Sequence, residues 1–143
     1  MKYRYLSDCH THSDCSRDAS DPTMMLCECA CRLGLYALTI TDHCECNVYE
    51  EDGYDRSVRQ SYFEARKASA VFHGRLHVRA GVEIGQPMQN LAAAEEILDV
   101  MLMHIGAYIP VISVTENGNV VEKHIWSLKS KLVKPTIFGN NIF

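Results

Sequence analysis

The strongest constraint in this chain is an alternation. Between residues 3 and 99, three short β-prone runs each lead into a helical stretch, and each run ends in a residue able to bind a metal. The first run, residues 3–9, passes into Asp8-Cys9-His10-Thr11-His12. The second, Tyr36-Ala37-Leu38-Thr39-Ile40-Thr41, ends in Asp42-His43, and the third, residues 76–82, ends at Glu83. Ser20 or Asp21 can cap a first helix, Pro22 suits its first turn and Gly34 its stop. Leu26, Cys29, Ala30 and Leu33 are expected on one face of it. A second helix is predicted over residues 57–73, with Val58, Tyr62, Ala65, Ser69 and Phe72 on one stripe, and a third over 89–98. This β-α-β-α-β-α order predicts an α/β fold in which crossover helices join parallel strands.

Composition narrows what such a unit can do. With 143 residues, 47% of them apolar, the chain supports one core. It falls well short of the roughly 250 residues of a typical (β/α)8 barrel. No run approaches the roughly 18 apolar residues of a membrane-spanning helix. The start, Met1-Lys2-Tyr3-Arg4-Tyr5, lacks the apolar core of a signal peptide, so a cytoplasmic protein is expected. The net charge of −4 and the missing basic stripe argue against a nucleic-acid partner. A small phosphorylated substrate stays compatible, because metal ions can supply positive charge.

The seven cysteines all lie from Cys9 to Cys46, and their odd number argues against a disulfide framework. Cys27, Cys29 and Cys31 form C-x-C-x-C and Cys44 and Cys46 form C-x-C, closer than the usual pair spacing of zinc sites. The cysteines therefore read as reduced, small apolar groups. A cysteine-based metal-binding module is the alternative.

The chemistry converges on the strand ends. Residues i and i+2 of a strand face the same side, so His10 and His12 can meet one ion, with Asp8 as a further ligand or an orienting acceptor. Asp18 can fold over the same mouth, and His43 offers a third imidazole. Asp42 faces the other way and reads as structural or as support behind the ligands. Glu83 lies between Val82 and Ile84 in an apolar run, where a carboxylate needs a partner, and it can bridge two cations. In parallel α/β barrels the strands' C-terminal ends carry the active site. Mixed imidazole and carboxylate ligands suit Zn, Mn or Fe, and two or three close ions suit phosphoester hydrolysis.

Taken together, D-x-H-x-H-S at residues 8–13 with Asp18 following, I-T-D-H at 40–43 and G-V-E-I-G at 81–85 resemble the PHP (polymerase and histidinol phosphatase) domain. H-T-H-S-x-x-S-x-D at 10–18 and G-V-E-I-G-Q-P at 81–87 are most similar to its histidinol-phosphatase branch. The resemblance implies a distorted (β/α)7 barrel with a trinuclear metal site. In it His10, His12 and Glu83 hold one ion, Glu83 bridges to a second, and Asp18 and His43 hold a further ion. The implied reaction is hydrolysis of L-histidinol phosphate to L-histidinol and phosphate, in histidine biosynthesis.

The resemblance is read over residues 3–99, taken as a partial PHP domain (1–99) followed by an unlike tail (100–143). Residues 1–99 carry 10 Lys and Arg against 16 Asp and Glu, whereas 100–143 carry 4 against 2. The family's later G-S-x-H and Asp-x-His motifs are not recognisable, and neither His104 nor His124 stands in such a context. A truncated or frameshifted barrel with weak or no activity is expected, its open edge free to self-associate. Asn117-Gly118 between β-prone runs predicts a hairpin in the tail. The competing readings are another PHP phosphoesterase or nuclease, the cysteine module, and an inert remnant.

Overall fold

The computed structural model describes residues 5–102, 108–114 and 120–126. In chain order the elements are β1 (Ser7–Thr11), α1 (Thr23–Leu33), β2 (Ala37–Ile40), β3 (His43–Glu45), a 3₁₀ turn at Cys46–Val48, α2 (Tyr54–Val71), β4 (His77–Ala80) and β5 (Glu83–Gly85). A second 3₁₀ turn at Pro87–Gln89, α3 (Leu91–Leu102), β6 (Tyr108–Val114) and β7 (Val120–Trp126) follow.

Helix α1 stops as its sequence demands. Gly34 takes a left-handed φ of 74°, and the N–H groups of Gly34 and Leu35 return to Cys31 and Ala30. That geometry satisfies the last carbonyls at a position a side chain would strain. The buried face differs from the expected one. Thr23, Cys27 and Ala30 point inward, while Cys29 and Leu33 are exposed. Both stripes have helical spacing, and packing against β2 and α2 selects the one with smaller side chains. On α2, Val58 and Ala65 are buried as expected, as is Phe72 just past its end, with Tyr62 and Ser69 on the flank.

The strands form two sheets rather than one. β1, β2 and β4 lie parallel in that order, and a second sheet runs β3, β5, β6, β7. β2 passes into β3, and β4 into β5, after the same two-residue break, at Thr41-Asp42 and Gly81-Val82. Backbone bonds bridge the breaks, Gly81 N–H to Ile40 O (2.7 Å) and Glu83 N–H to Asp42 O (3.0 Å). The expected third strand is therefore corrected. It ends at Ala80, and Glu83 opens a new strand instead of closing the old one. The first strand is likewise displaced from 3–9 to Ser7–Thr11.

Asp42 lies in the first of these breaks. It is 2% exposed, and its carboxylate accepts bonds from Ser13 N–H, Ser13 Oγ (2.7 Å) and Ser61 Oγ. These bonds tie the strand to the β1–α1 loop and to α2, and the chain leaves the regular ladder where they act.

Each sheet has its own core. Cys27, Leu38, Ile40, Ala65, Phe72 and Val78 pack under the first, and Cys44, Val58, Val82, Ile84, Ile97 and Met101 under the second. Small residues at the helix contacts, Ala30, Ala65 and Ala68, permit close approach. Beyond α3, β6 joins β5 in parallel through Ile84↔Val111 and Gly85↔Ile112. The β-α alternation thus continues for one more unit, against expectation, because α3 returns the chain to the sheet edge. β6 and β7 then pair antiparallel from Tyr108↔Trp126 to Val114↔Val120, as the hairpin signal predicts. The Asn117-Gly118 turn itself lies outside the described residues. Among the described residues, no helix is long and apolar enough to cross a membrane.

Candidate metal centre

The end of the first sheet and the start of the second bring all five expected residues to one place. His10 is on β1 and His12 just past its end, and their Nε2 atoms lie 3.0 Å apart. Glu83, 3% exposed, places Oε2 2.6 Å from His10 Nε2 and 2.9 Å from His12 Nε2. The other ring nitrogen of His12, Nδ1, lies 2.8 Å from Asp18 Oδ2. That same oxygen is 3.5 Å from His43 Nε2. Since β3 and β5 pair with His43 opposite Glu83, Glu83 Oε1 comes within 3.8 Å of His43 Nδ1. Two groups result, His10–His12–Glu83 and His12–Asp18–His43, each compact enough to share one cation.

The donor chemistry fits a divalent cation. A neutral imidazole carries one N–H. If His12 donates from Nδ1 to Asp18, its Nε2 is a bare lone pair. Two imidazole nitrogens and one carboxylate oxygen then crowd together with a single ring proton between them. A buried carboxylate in that setting wants a positive partner, and no Lys or Arg among the described residues pairs with Glu83. His43 Nδ1 is buried without a hydrogen-bond partner of normal geometry.

Local charge follows from the same contacts. Burial works against ionising Asp18, but the Ser16 hydroxyl, donating to Oδ1 at 2.6 Å, and His12 outweigh it and hold the carboxyl down to about 2. For His43, the Glu45 carboxylate 3.4 Å from Nδ1 favours the protonated ring. Burial opposes it, Glu83 and Asp18 add to it, and the net shift is upward.

Asp8 and Asp42 stand outside both groups. Asp8 accepts from the backbone N–H of His10 at 3.1 Å, and Asp42 is consumed by Ser13 and Ser61. Sequence reasoning missed three residues. Ser16 accepts the His43 N–H while donating to Asp18, so it joins the loop to β3. Ser61 anchors Asp42 from α2. Glu45 faces His43, and its position two residues after His43 was the available signal.

The cysteines are all free, and among the described residues neither metal group contains one. On a helix, alternate positions point in nearly opposite directions, so Cys27 is buried and Cys29 exposed. Burial pushes the Cys27 and Cys46 thiols up to about 11, which suits inert packing.

A mixed α/β unit carrying two adjacent imidazole–carboxylate groups could hold the kind of ions that metal-dependent hydrolases use. The model of the PHP domain family matches residues 8–131, and the chain belongs to that family, one of metal-dependent phosphoesterases in general. The match extends past Asp99 into the stretch where composition changes. No match to the chain is found among curated proteins or among solved structures.

Proposed function

We propose that this PHP domain is a phosphomonoesterase of the histidinol-phosphatase type, releasing phosphate from L-histidinol phosphate. The observation that carries the reading is the convergence of His10 Nε2, His12 Nε2 and Glu83 Oε2 within 3.0 Å of one another. The choice of branch rests on the H-T-H-S-x-x-S-x-D and G-V-E-I-G-Q-P runs.

In this reading His10, His12 and Glu83 hold one ion, Glu83 bridges to a second, and Asp18 and His43 hold a further ion. Zn, Mn or Fe suits these ligands, two to three ions in all. Ions held there would supply positive charge to a phosphate oxygen and a source of hydroxide near neutral pH. The protein's own groups set the stage. Glu83 is buried, with Oε2 against both imidazoles. Asp18 accepts a hydrogen bond from His12 Nδ1–H, which leaves Nε2 free to ligate, and Ser16 donates to Asp18 in turn. His10 and Asp18, with side chains 37% and 51% exposed, keep the mouth open to a small substrate.

Elemental analysis of the purified protein beside a His10→Ala/His12→Ala variant tests the site. Metal present in the first and lost in the second is expected. Metal equal in both, or absent from both, overturns the proposal. Release of phosphate from L-histidinol phosphate but not from a nucleic-acid substrate tests the branch, and the reverse preference favours a nuclease.

A further inference from the structure

We propose that Glu45 is a positioning residue that fixes the ring of His43 for ligation, and that residue 85 is glycine to admit the Glu45 carboxylate. The inference rests on the metal-centre reading above and adds two residues to it.

Strands β3 and β5 pair in parallel with His43 opposite Glu83 and Glu45 opposite Gly85. His43 and Glu45 are two residues apart and so lie on one face of β3. The carboxylate of Glu45 sits 3.4 Å from His43 Nδ1, while the other ring nitrogen looks toward Asp18. Among the described residues Glu45 forms no ion pair with Lys or Arg, so His43 is its one ionic neighbour. Ligating histidines hold their remaining N–H against a carboxylate or carbonyl, which sets the tautomer and aims the ring. With Nδ1–H turned toward the nearby Glu45 carboxylate, Nε2 would keep its lone pair for the cation held with Asp18.

Gly85 supplies the second observation. A Cβ built there would fall onto the Glu45 carboxylate, overlapping Oε1, Oε2 and Cδ. Its backbone has none of the positive φ found at Gly34, Gly53 and Gly74. The backbone φ therefore does not demand glycine, and the nearest obstacle to a side chain is the Glu45 carboxylate. The clash is with the far end of a flexible side chain, so Gly85→Ala displaces Glu45 without breaking the strand.

Two measurements on the whole chain test this. In metal-free protein above the titration of His43, long-range ¹⁵N–¹H NMR reports which ring nitrogen bears the proton. Nδ1–H is expected for the native chain, and a shift toward Nε2–H for Glu45→Ala. In titrations with Zn²⁺ or Mn²⁺ alone, Glu45→Ala is expected to weaken one of the bound ions about 10- to 100-fold. Glu45→Gln, which keeps an acceptor oxygen, loses less. Gly85→Ala should match Glu45→Ala, and the double variant should be no weaker than Glu45→Ala. The inference is overturned if Glu45→Ala keeps both the native tautomer and the native affinity. It is also overturned if Gly85→Ala weakens binding equally when Glu45 is already alanine. A native chain that binds no metal ends the metal reading and this inference together, whereas native binding unmoved by Glu45 variants ends this inference alone.

Discussion

Two buried carboxylates lie side by side in this protein and are satisfied in opposite ways. Asp42 and Glu83 are 2% and 3% exposed, and the N–H of Glu83 donates to the carbonyl of Asp42. Asp42 is met by neutral donors, the Ser13 N–H and hydroxyl and the Ser61 hydroxyl. Glu83 meets imidazole nitrogens whose shared protons cannot serve all of them. Burial alone therefore does not mark a functional acid. A buried acid whose bonds are complete holds the fold together, and one whose neighbours are further lone pairs awaits a cation.

The largest effect that could break this distinction is on stability. Asp42→Ala leaves buried donors on Ser13 and Ser61 unpaired and should cost about 3 kcal/mol in urea denaturation of the metal-free protein. Glu83→Gln should leave the stability of the metal-free protein unchanged or raised, because it removes a buried charge. The reverse ranking would collapse the contrast between the two acids. Next, Glu83→Gln should lower metal affinity at least about 100-fold at the His10–His12–Glu83 group, since Oε2 lies against both imidazoles. Equilibrium dialysis reads this directly, and unchanged binding there would remove Glu83 from the site.

Smaller effects sharpen the picture. Asp18→Asn should weaken the ion nearest His43 by about tenfold and, through the loosened His12 ring, the ion at His10, His12 and Glu83 by less. Because the Asp18 carboxyl sits near 2 in the fold, below its ordinary 3.8, it adds stability at and above pH 4 that is lost as pH falls toward 2. The metal-free Asp18→Asn variant should therefore show a shallower acid transition over that window. The smallest expected change is none. Cys29→Ser should leave bound metal as it was, and a loss there would revive the cysteine module.

Much of the site was legible because residue type and strand parity are local properties. His10 and His12 share a face at a two-residue spacing, and Glu83 announces itself as a carboxylate inside an apolar run. Glu45 was not legible in the same way. Its place two residues after His43 hints at a shared face, but its register opposite Gly85 depends on how β3 and β5 pair. The face of α1 was misread for a related reason. The Leu26–Leu33 and Thr23–Ala30 stripes are both apolar enough, and the choice depends on what lies across from them.

Local sequence determined the alternation of strands and helices, the stop of α1 at Gly34 and the identity of the five ligand candidates. These follow from backbone preference and from the donor atoms each side chain carries. Only the tertiary structure decided that two sheets meet at the ligands. Asp42, at the break between β2 and β3, bonds to serines 29 and 19 residues away in the chain. Glu83 reaches imidazoles more than 70 residues before it. Contacts over such separations depend on how the whole chain closes, and no local pattern contains them.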